Sequence, residues 1–520
     1  MPPWEGSALE QPRLKGNRAP ERSGRRGAPR WMTAAAPGAI VVVATILRFA
    51  DLGSNPGGLY PDEAAEGLDA QRLLYVAGFH PVFFHGDGGR EALFGYLVAV
   101  VFRLAGETVL ALRATAAGIG VLAVVAIWLL GRRFGTWAGL AAAAWAAGSL
   151  WLVAVSRDGM RNVLVPLFGA LALATLLAWL DRPSRRRAVL AGVVTSIAAL
   201  YTYQPLKLLP VLVLVWLLWL RRVDRPTYAR LRAGVPAFTV AFLIVAVPML
   251  GAALADPSNY LGRMAAVTPF NPDVQADSSL LGHWVRTLGM FALAGDPNAR
   301  HDVAALPVLG WPLSIVAVLG LARLWRRRRD AAHALVLWSL PLFLVPPLVA
   351  IEGDTPHFLR ALGLAAPLAV TIGLGFVELV GLVRVRGGRP AGRLAALASA
   401  AGLVVLAIGS GTAYLARPVA DRYEAYTYDL VAIADAARET PHAAVILDDY
   451  SATVVRFLDF HDLPTIIAPR GTLRDPGMYS QVIARTQGDL VRVLGSAAGE
   501  RAVPVAQDPA GTPSVWSVAP

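Results

Sequence analysis

Four carboxylates stand close together near the start of the chain, in the stretch GGLYPDEAAEGLDAQRLL. Asp62 and Glu63 follow Pro61 directly, and Glu66 and Asp69 come next. Carboxylates in such a group act as general bases or as metal ligands. The same acids would also complement the dipole at the N-terminus of a helix. Their spacing alone therefore leaves a catalytic and a structural interpretation open.

Basic and aromatic side chains gather in four later stretches, where apolar sequence ends. Cations of this kind can hold a phosphate. The plainer alternatives are an aromatic belt at a membrane interface, a satisfied ion pair, and a lysine that snorkels to water. The candidates are Arg90 and Glu91 in HPVFFHGDGGREALFGYL, Arg157, Asp158 and Arg161 in SRDGMRN, Tyr201, Tyr203 and Lys207 in LYTYQPLK, and His357 and Arg360 in TPHFLRALG.

The composition indicates that membrane helices position these groups. Of the 520 residues, 55% are hydrophobic and only 16% are charged, whereas soluble domains have about 25% charged residues. Apolar runs of about 18 to 24 residues are long enough to cross ~30 Å of hydrocarbon. We predict a polytopic α-helical membrane protein with about 11 transmembrane helices, at 33–50, 109–130, 134–155, 162–180, 187–203, 206–220, 232–253, 304–322, 333–351, 361–383 and 393–415.

The arginine clusters predict the orientation. They lie between alternate spans, so the positive-inside rule places all of them in the cytoplasm. Residues 1–32 are then a disordered basic cytoplasmic tail, and 33–415 form the transmembrane domain with external loops at 51–108 and 254–304. The arginines behind the net charge of +12 lie beside apolar runs, where they set the membrane topology. We therefore expect no nucleic-acid partner. The chain has no cysteine, which excludes disulfides and thiolate chemistry.

Two segments depart from this pattern of spans. The apolar segment 92–106 would reach only ~20 Å as a helix, and we interpret it as interfacial or re-entrant. Residues 416–520 have a soluble composition with alternating strand and helix patterns, which predicts a small extracytoplasmic α/β domain. No residue of that domain looks catalytic.

The order of several motifs resembles a known group of enzymes. LYPDEAAEGLDA, FFHGDGGREALFGYL, LALRATAAGIGVLAVVAIWLLGRRFG, SRDGMRN, YTYQP and TPHFLRALG follow one another as in the GT-C glycosyltransferases of the protein O-mannosyltransferase and aminoarabinose transferase type (glycosyltransferase family 39-like). The resemblance covers roughly residues 33–415. It implies an inverting transfer of a sugar from a polyprenyl phosphate to an acceptor at the outer face of the cell membrane.

The resemblance also implies roles for individual residues. Asp62 would be the general base, with Glu63 and Asp158 as neighbouring carboxylates of the site. Lys207 and Arg360 would hold the donor phosphate. The chain departs from the lipid A branch of the family at REALFGYL, where a lysine is expected.

The expected partners are the lipid bilayer, a polyprenyl-phosphate sugar donor and an unknown acceptor. The chemistry requires no cofactor, although a divalent metal held by Glu63, His283 or His301 is an alternative. A non-enzymatic polyprenyl-lipid flippase or transporter is the rival function. A transporter should show polar residues inside its spans, and here the span interiors are mainly Leu, Val and Ala. A flippase would also hold lipid phosphates, but it would not need Asp62.

Overall fold

Most of the chain forms α-helices, because Leu and Ala favour helix and lipid offers no other partner for backbone groups. The computed structural model describes residues 30–86, 89–274, 278–471, 473 and 475–520. The tail predicted at 1–32 therefore falls almost entirely outside the described residues. The helices up to residue 415 are α1 (Arg30–Phe49), α2 (Pro61–Tyr75), α3 (Leu93–Ala105), α4 (Val109–Gly131), α5 (Thr136–Gly148), α6 (Leu150–Val155), α7 (Leu164–Asp181), α8 (Arg185–Leu200), α9 (Leu209–Val223), α10 (Arg225–Arg232), α11 (Val235–Ala255), α12 (Pro257–Ala266), α13 (Leu280–Gly289), α14 (Gly310–Arg326), α15 (Ala331–Val349) and α16 (Ala365–Leu415).

A helix lies in every segment that the sequence predicts to span the membrane, although α14 begins at Gly310 and not at the predicted residue 304. In the described part of the chain, five helical segments are long and apolar enough to cross a bilayer by length and composition, and the protein is a multi-pass membrane protein. The number of eleven spans and the orientation of the termini stay predictions. The five segments are Val109–Phe134, Arg161–Asp181, Val235–Ala255, Ala331–Val349 and Leu362–Leu415.

The last two predicted spans lie in one long helical segment with a break. Within α16, Gly388 has φ 74° and ψ −171°, and it interrupts the helical backbone between the two apolar halves. Glycine tolerates a positive φ because it has no Cβ. The break lies inside the arginine-bearing stretch VRVRGGRPAGR, where the sequence predicts a cytoplasmic turn.

The helices pack closely through small residues. A Cβ at Gly320 of α14 would lie 1.9 Å from the carbonyl oxygen of Thr371 in α16. A Cβ at Gly375 would lie equally close to the carbonyl oxygen of Val316. Glycines at such contacts let two helix backbones touch, as is typical of membrane helix interfaces.

Helix α3 is short, as expected for the segment at 92–106. Its 13 residues extend only about 20 Å at 1.5 Å per residue. Phe94, Val98 and Phe102 are buried, and α3 packs against α2. Its depth relative to a bilayer stays a prediction.

The C-terminal residues form a five-stranded sheet with helices beside it. The remaining helices are α17 (Tyr428–Glu439), α18 (Ala452–Leu458), α19 (Gln487–Leu494) and α20 (Ser496–Arg501), and the strands are β1 (Phe83–Phe84), β2 (Arg90–Glu91), β3 (Ala444–Ile446), β4 (Thr465–Ile467), β5 (Val482–Ala484), β6 (Val503–Gln507) and β7 (Pro513–Val518). The strand order in the sheet is β4-β3-β5-β7-β6, with β3 parallel to β4 and β5 and with β7 antiparallel to its neighbours. A short antiparallel pair, β1 and β2, belongs to the first loop.

The sheet joins the rest of the molecule through one of its two faces. Val445 and Ile483 point into the same hydrophobic core as the membrane helices, whereas Ile446 and Val482 point into a separate small core. This alternation follows from the two-residue period of a strand. Helix α18 packs on α2, so this part of the chain lies directly against the helix that carries the four acids. The boundary of the C-terminal domain at residue 416 stays a prediction.

Candidate active site

The first turn of α2 sends its two acids in different directions. Pro61 occupies the first position of the helix, where its missing N–H costs no hydrogen bond. Asp62 is half-buried and Glu63 is buried, because successive helical residues are rotated by about 100°. Gly57 and Gly58, with φ 72° and 46°, let the preceding loop lie against the C-terminal segment.

Glu63 forms a buried ion pair. Arg113 of α4 donates from Nε to Oε1 at 2.7 Å and from Nη2 to Oε2 at 2.8 Å. The backbone N–H of Gly159 donates to Oε1 at 2.9 Å. Both charged side chains are 1% exposed. Glu63 therefore ties together α2, α4 and the turn that contains SRDGMRN, and these contacts support a positioning role.

Asp158 lies in that same turn, close to Glu63. The hydroxyl of Tyr426 donates to its Oδ1 at 2.8 Å. Burial and, after it, the negative charge of Glu63 together raise the pKa of Asp158 to about 7. A large part of this carboxyl population is therefore protonated at neutral pH.

A cavity of about 270 Å³ gathers six of the predicted site residues. Apolar side chains from α15 and its neighbours form much of its wall, and the charged groups lie beside them. The predicted residues in the lining are Asp62, Arg161, Tyr203, Lys207, His357 and Arg360.

Two of these cations are held by buried acids of the first loop. Arg161 donates from Nη1 to Glu66 Oε1 at 2.7 Å and from Nε to Glu91 Oε2 at 3.2 Å. The ammonium of Lys207 lies 3.4 Å from Glu91 Oε1 and 4.5 Å from the ring centre of Tyr260. Burial raises the pKa of Glu66. Glu91 therefore fixes the positions of both cations, although it is not itself part of the lining.

Arg360, also in the cavity lining, is anchored by backbone carbonyl groups. Its Nη1 donates to the carbonyl oxygens of Ala350 and Glu352 at 2.8 and 2.7 Å. The Glu352 carboxylate lies 3.8 Å from Nη2. The guanidinium group thus has a fixed place in the lining.

Six predicted residues lie outside the cavity lining, namely Glu63, Glu91 and Asp158, described above, and Arg90, Arg157 and Tyr201. Arg90 forms an ion pair with Asp69, and Arg157 donates to the carbonyl oxygens of Leu47, Ala50 and Asn55 at 3.0, 2.7 and 2.7 Å. Tyr201 donates from its hydroxyl to Val245 O at 2.7 Å. These contacts support structural roles for the last three side chains, and their substrate-binding role stays a prediction.

Two residues that are not among the sequence predictions reach the site from the second loop and the C-terminal part. The hydroxyl of Tyr450 donates to Asp62 Oδ1 at 2.7 Å. Arg300 lines the cavity, and its guanidinium carbon lies 3.4 Å from the ring centre of Tyr60. The motif GDPNARHD around Arg300 is the one local signal that would have pointed to it. Tyr450 lies in a stretch without a recognisable motif.

A cluster at the cavity could hold a divalent metal. Asp296, His301 and His357 offer ligand atoms that all lie within 4.8 Å of one another. Asp296 Oδ2 accepts from Phe358 N at 2.7 Å and lies 2.8 Å from His301 Nδ1. Imidazole and carboxylate ligands suit Zn²⁺ or Mn²⁺.

The other two metal candidates from the sequence have different surroundings. Both oxygens of Glu63 bind Arg113. The Nδ1 atom of His283 lies 2.9 Å from Thr355 Oγ1, and its Nε2 atom lies 2.8 Å from Pro347 O. Of the three candidates, His301 is the one that lies in the Asp296 cluster.

Comparison with known proteins shows which family and which solved structures the chain is similar to. Residues 91–250 match the sequence model of a family described as dolichyl-phosphate-mannose-protein mannosyltransferase. The structure of ArnT from Cupriavidus metallidurans bound to undecaprenyl phosphate is similar with a TM-score of 0.58 and 14% identity, over 95% of this chain and 98% of that one. The apo form of the same protein gives a TM-score of 0.56 and 14% identity, over 94% and 98%. No curated protein matches the chain by sequence.

These matches confirm the resemblance predicted from the motifs. The chain has the fold of the GT-C membrane glycosyltransferases. The similarity of the fold to ArnT extends over nearly the whole length of the chain.

Proposed function

We propose that the protein is a membrane glycosyltransferase that moves a sugar from a polyprenyl-phosphate donor to an acceptor at the outer face of the membrane. The observation that carries the proposal is the cavity that combines an apolar wall, several fixed cations and the half-buried carboxylate of Asp62. The family match and the fold support the same class of reaction.

The donor would lie with its prenyl chain along the apolar wall and its phosphate among the cations. One relative with this fold was solved with undecaprenyl phosphate bound. Lys207, Arg300 and Arg360 all contribute to the lining. When the bond between the anomeric carbon and the phosphate oxygen breaks, negative charge grows on the phosphate. Fixed cations stabilise that charge more in the transition state than in the ground state.

Asp62 would act as the general base on the acceptor. The acceptor hydroxyl gives its proton to Asp62, its oxygen bonds to the anomeric carbon, and the prenyl phosphate leaves from the opposite face with the bonding electrons. This order inverts the anomeric configuration. In this structure the hydroxyl of Tyr450 donates a hydrogen bond to Asp62 Oδ1. In the proposed reaction the acceptor hydroxyl would donate to the same oxygen. Glu63 and Asp158 hold the surrounding turn in place.

The metal requirement can be tested on the same preparation. The phosphate is already an activated leaving group, so the proposed steps need no metal. If the Asp296, His301 and His357 cluster holds one, a strong chelator should abolish transfer and added Zn²⁺ or Mn²⁺ should restore it. His301→Ala should then lose that response. Full activity in chelator would contradict a metal requirement.

The test of the function is transfer by purified protein in lipid vesicles. A panel of radiolabelled polyprenyl-phosphate sugars is offered with envelope glycans, lipids and peptides as acceptors. We expect Asp62→Asn to lower transfer by roughly 10²–10⁴-fold because the amide cannot accept the proton. The matched control is Asp421→Asn, at an exposed aspartate outside the cavity lining.

The rival function predicts a different outcome of the same experiment. A flippase would move the lipid across the vesicle with no label reaching any acceptor, and Asp62→Asn would leave that movement intact. Transfer that survives in Asp62→Asn would remove Asp62 as the base.

A further inference from the structure

A second cavity lies between the membrane part and the C-terminal sheet. It has a volume of about 750 Å³ and shares no lining residue with the cavity that contains Asp62. Gln71 of α2 and Glu107 of the α3–α4 turn form one side, and residues that follow α17 and α18 form the other. We call it the α2 groove.

The rings of Phe460 and His461 line the α2 groove, and Tyr75, which lies outside the lining, packs against both of them. The ring centres of Tyr75 and His461 are 4.9 Å apart, and those of Tyr75 and Phe460 are 5.9 Å apart. Tyr75 is 50% exposed. Its hydroxyl bonds to Glu107, and His461 lies 3.5 Å from the same carboxylate. Exposed rings that are held in place offer flat apolar faces at little cost in side-chain entropy.

The walls of the α2 groove are rich in hydrogen-bond acceptors. Gln71 is 3% exposed, and its Nε2 donates to Phe457 O at 3.1 Å. Its Oε1 is buried and has no hydrogen-bond donor among the described residues, and the same is true of Asp459 Oδ2. A buried acceptor without a donor costs free energy until a donor arrives. These atoms therefore favour a ligand that brings donor groups.

The charges of the α2 groove exclude an anionic ligand. Glu107, Asp459 and Asp462 all belong to the lining. The guanidinium group of Arg438 is bound to Asp459 at 2.9 and 2.6 Å and to Asp435 at 3.0 Å, so its charge is neutralised locally. A phosphate or a carboxylated polymer would meet repulsion here.

We propose that the α2 groove binds a neutral oligosaccharide, as the extended part of the acceptor. This inference rests on the proposed function. A sugar chain supplies hydroxyl donors for the acceptors and apolar C–H faces for the aromatic rings. Gln71 follows Asp62 by nine positions on the same helix, which is about 14 Å at 1.5 Å per residue. Nine residues at about 100° each place the two side chains on opposite sides of α2, so the proposal requires a chain of several sugars that passes around the helix to bring its terminal hydroxyl to Asp62.

Binding without turnover gives the first test. Purified full-length protein is titrated calorimetrically with neutral gluco-, manno- and galacto-oligosaccharides of increasing length, with a carboxylated oligosaccharide, and with a serine-rich peptide. We expect affinity to rise with the length of one neutral series. His461→Ala should weaken it about tenfold because one aromatic contact is lost. The matched control is His80→Ala, at an exposed histidine outside the groove.

The outcomes separate the groove from the reaction. Asp62→Asn should bind the oligosaccharide as the wild type does, because binding needs no proton transfer. If no neutral oligosaccharide binds, if His461→Ala binds as well as His80→Ala, or if the peptide binds instead, the groove proposal is wrong. In the transfer assay, His461→Ala should raise KM for long acceptors and leave kcat unchanged. Groove binding without any transfer would overturn the proposed function alone.

Discussion

The contrast between Asp62 and Glu63 gives the sharpest prediction, because the two acids are neighbours in sequence and differ in every contact. Glu63→Gln removes the counterion of Arg113, and both side chains are 1% exposed. Breaking a buried ion pair by removing one partner costs about 3–5 kcal/mol. Gln keeps one carbonyl oxygen for Arg113, so we expect about 3 kcal/mol, the lower end of that range. This corresponds to roughly a 10²-fold fall in the ratio of folded to unfolded protein.

The assay is thermal unfolding of purified protein in one detergent at one scan rate, which keeps irreversible unfolding comparable. Glu63→Gln should unfold at a temperature lower by several degrees. Asp62→Asn should unfold as the wild type does, because Asn keeps an oxygen that accepts from Tyr450, and it should lose transfer. The reasoning is refuted if Glu63→Gln is as stable as the wild type, or if Asp62→Asn is the variant that loses stability.

Three further predictions concern the titration of Asp158, the cations at the cavity and the topology of the chain. Burial raises the pKa of Asp158 from 3.8 to about 7. The protonated carboxyl group therefore contributes its full stability below pH 3.8, and this contribution is lost as pH rises through about 7. The Tm of the wild type should fall as pH rises from about 5 to about 8, and Asp158→Asn should flatten this fall. Arg360→Ala and Lys207→Ala should each weaken binding of polyprenyl phosphate by roughly tenfold or more, since a charge-assisted hydrogen bond is worth about 1.5–3 kcal/mol, and unchanged affinity in both variants would remove them from the donor site. Cysteines placed at the exposed positions Ser184 and Ser496 should be labelled by an impermeant reagent from opposite sides of the membrane, and labelling from one side would contradict an odd number of spans between them.

The sequence predicted those parts of the structure that depend on local patterns. Apolar runs of membrane length became helices, and the short segment at 92–106 became the short helix α3. Asp62, Lys207 and Arg360 were predicted from their motifs, and all three line one cavity. Such features need only the residues of one segment, because periodicity, length and the end of an apolar run determine them.

The parts that were missed depend on contacts between distant segments. Arg113 pairs with Glu63 over a separation of 50 residues, and Tyr450 reaches Asp62 over 388 residues. No local pattern encodes such a pairing. Arg113 sits within an apolar run, and Tyr450 lies in the C-terminal part, where no residue looks catalytic by motif. The sequence does not separate the cations that line the cavity from those that make structural contacts, because the partners of each side chain come from distant segments.

The adjacent acids show how burial assigns chemistry to residues of equal type. On α2, a rotation of about 100° per residue turns Glu63 toward Arg113 in the interior and leaves Asp62 half-buried at the cavity. A carboxylate with both oxygens bound to a guanidinium group cannot take a proton without breaking that pair. A carboxylate that faces a cavity and accepts a hydrogen bond from one hydroxyl group can accept a hydrogen bond from a different hydroxyl group instead. The motif Asp-Glu is therefore one structural unit, in which Glu63 fixes the start of α2 so that Asp62 faces the cavity.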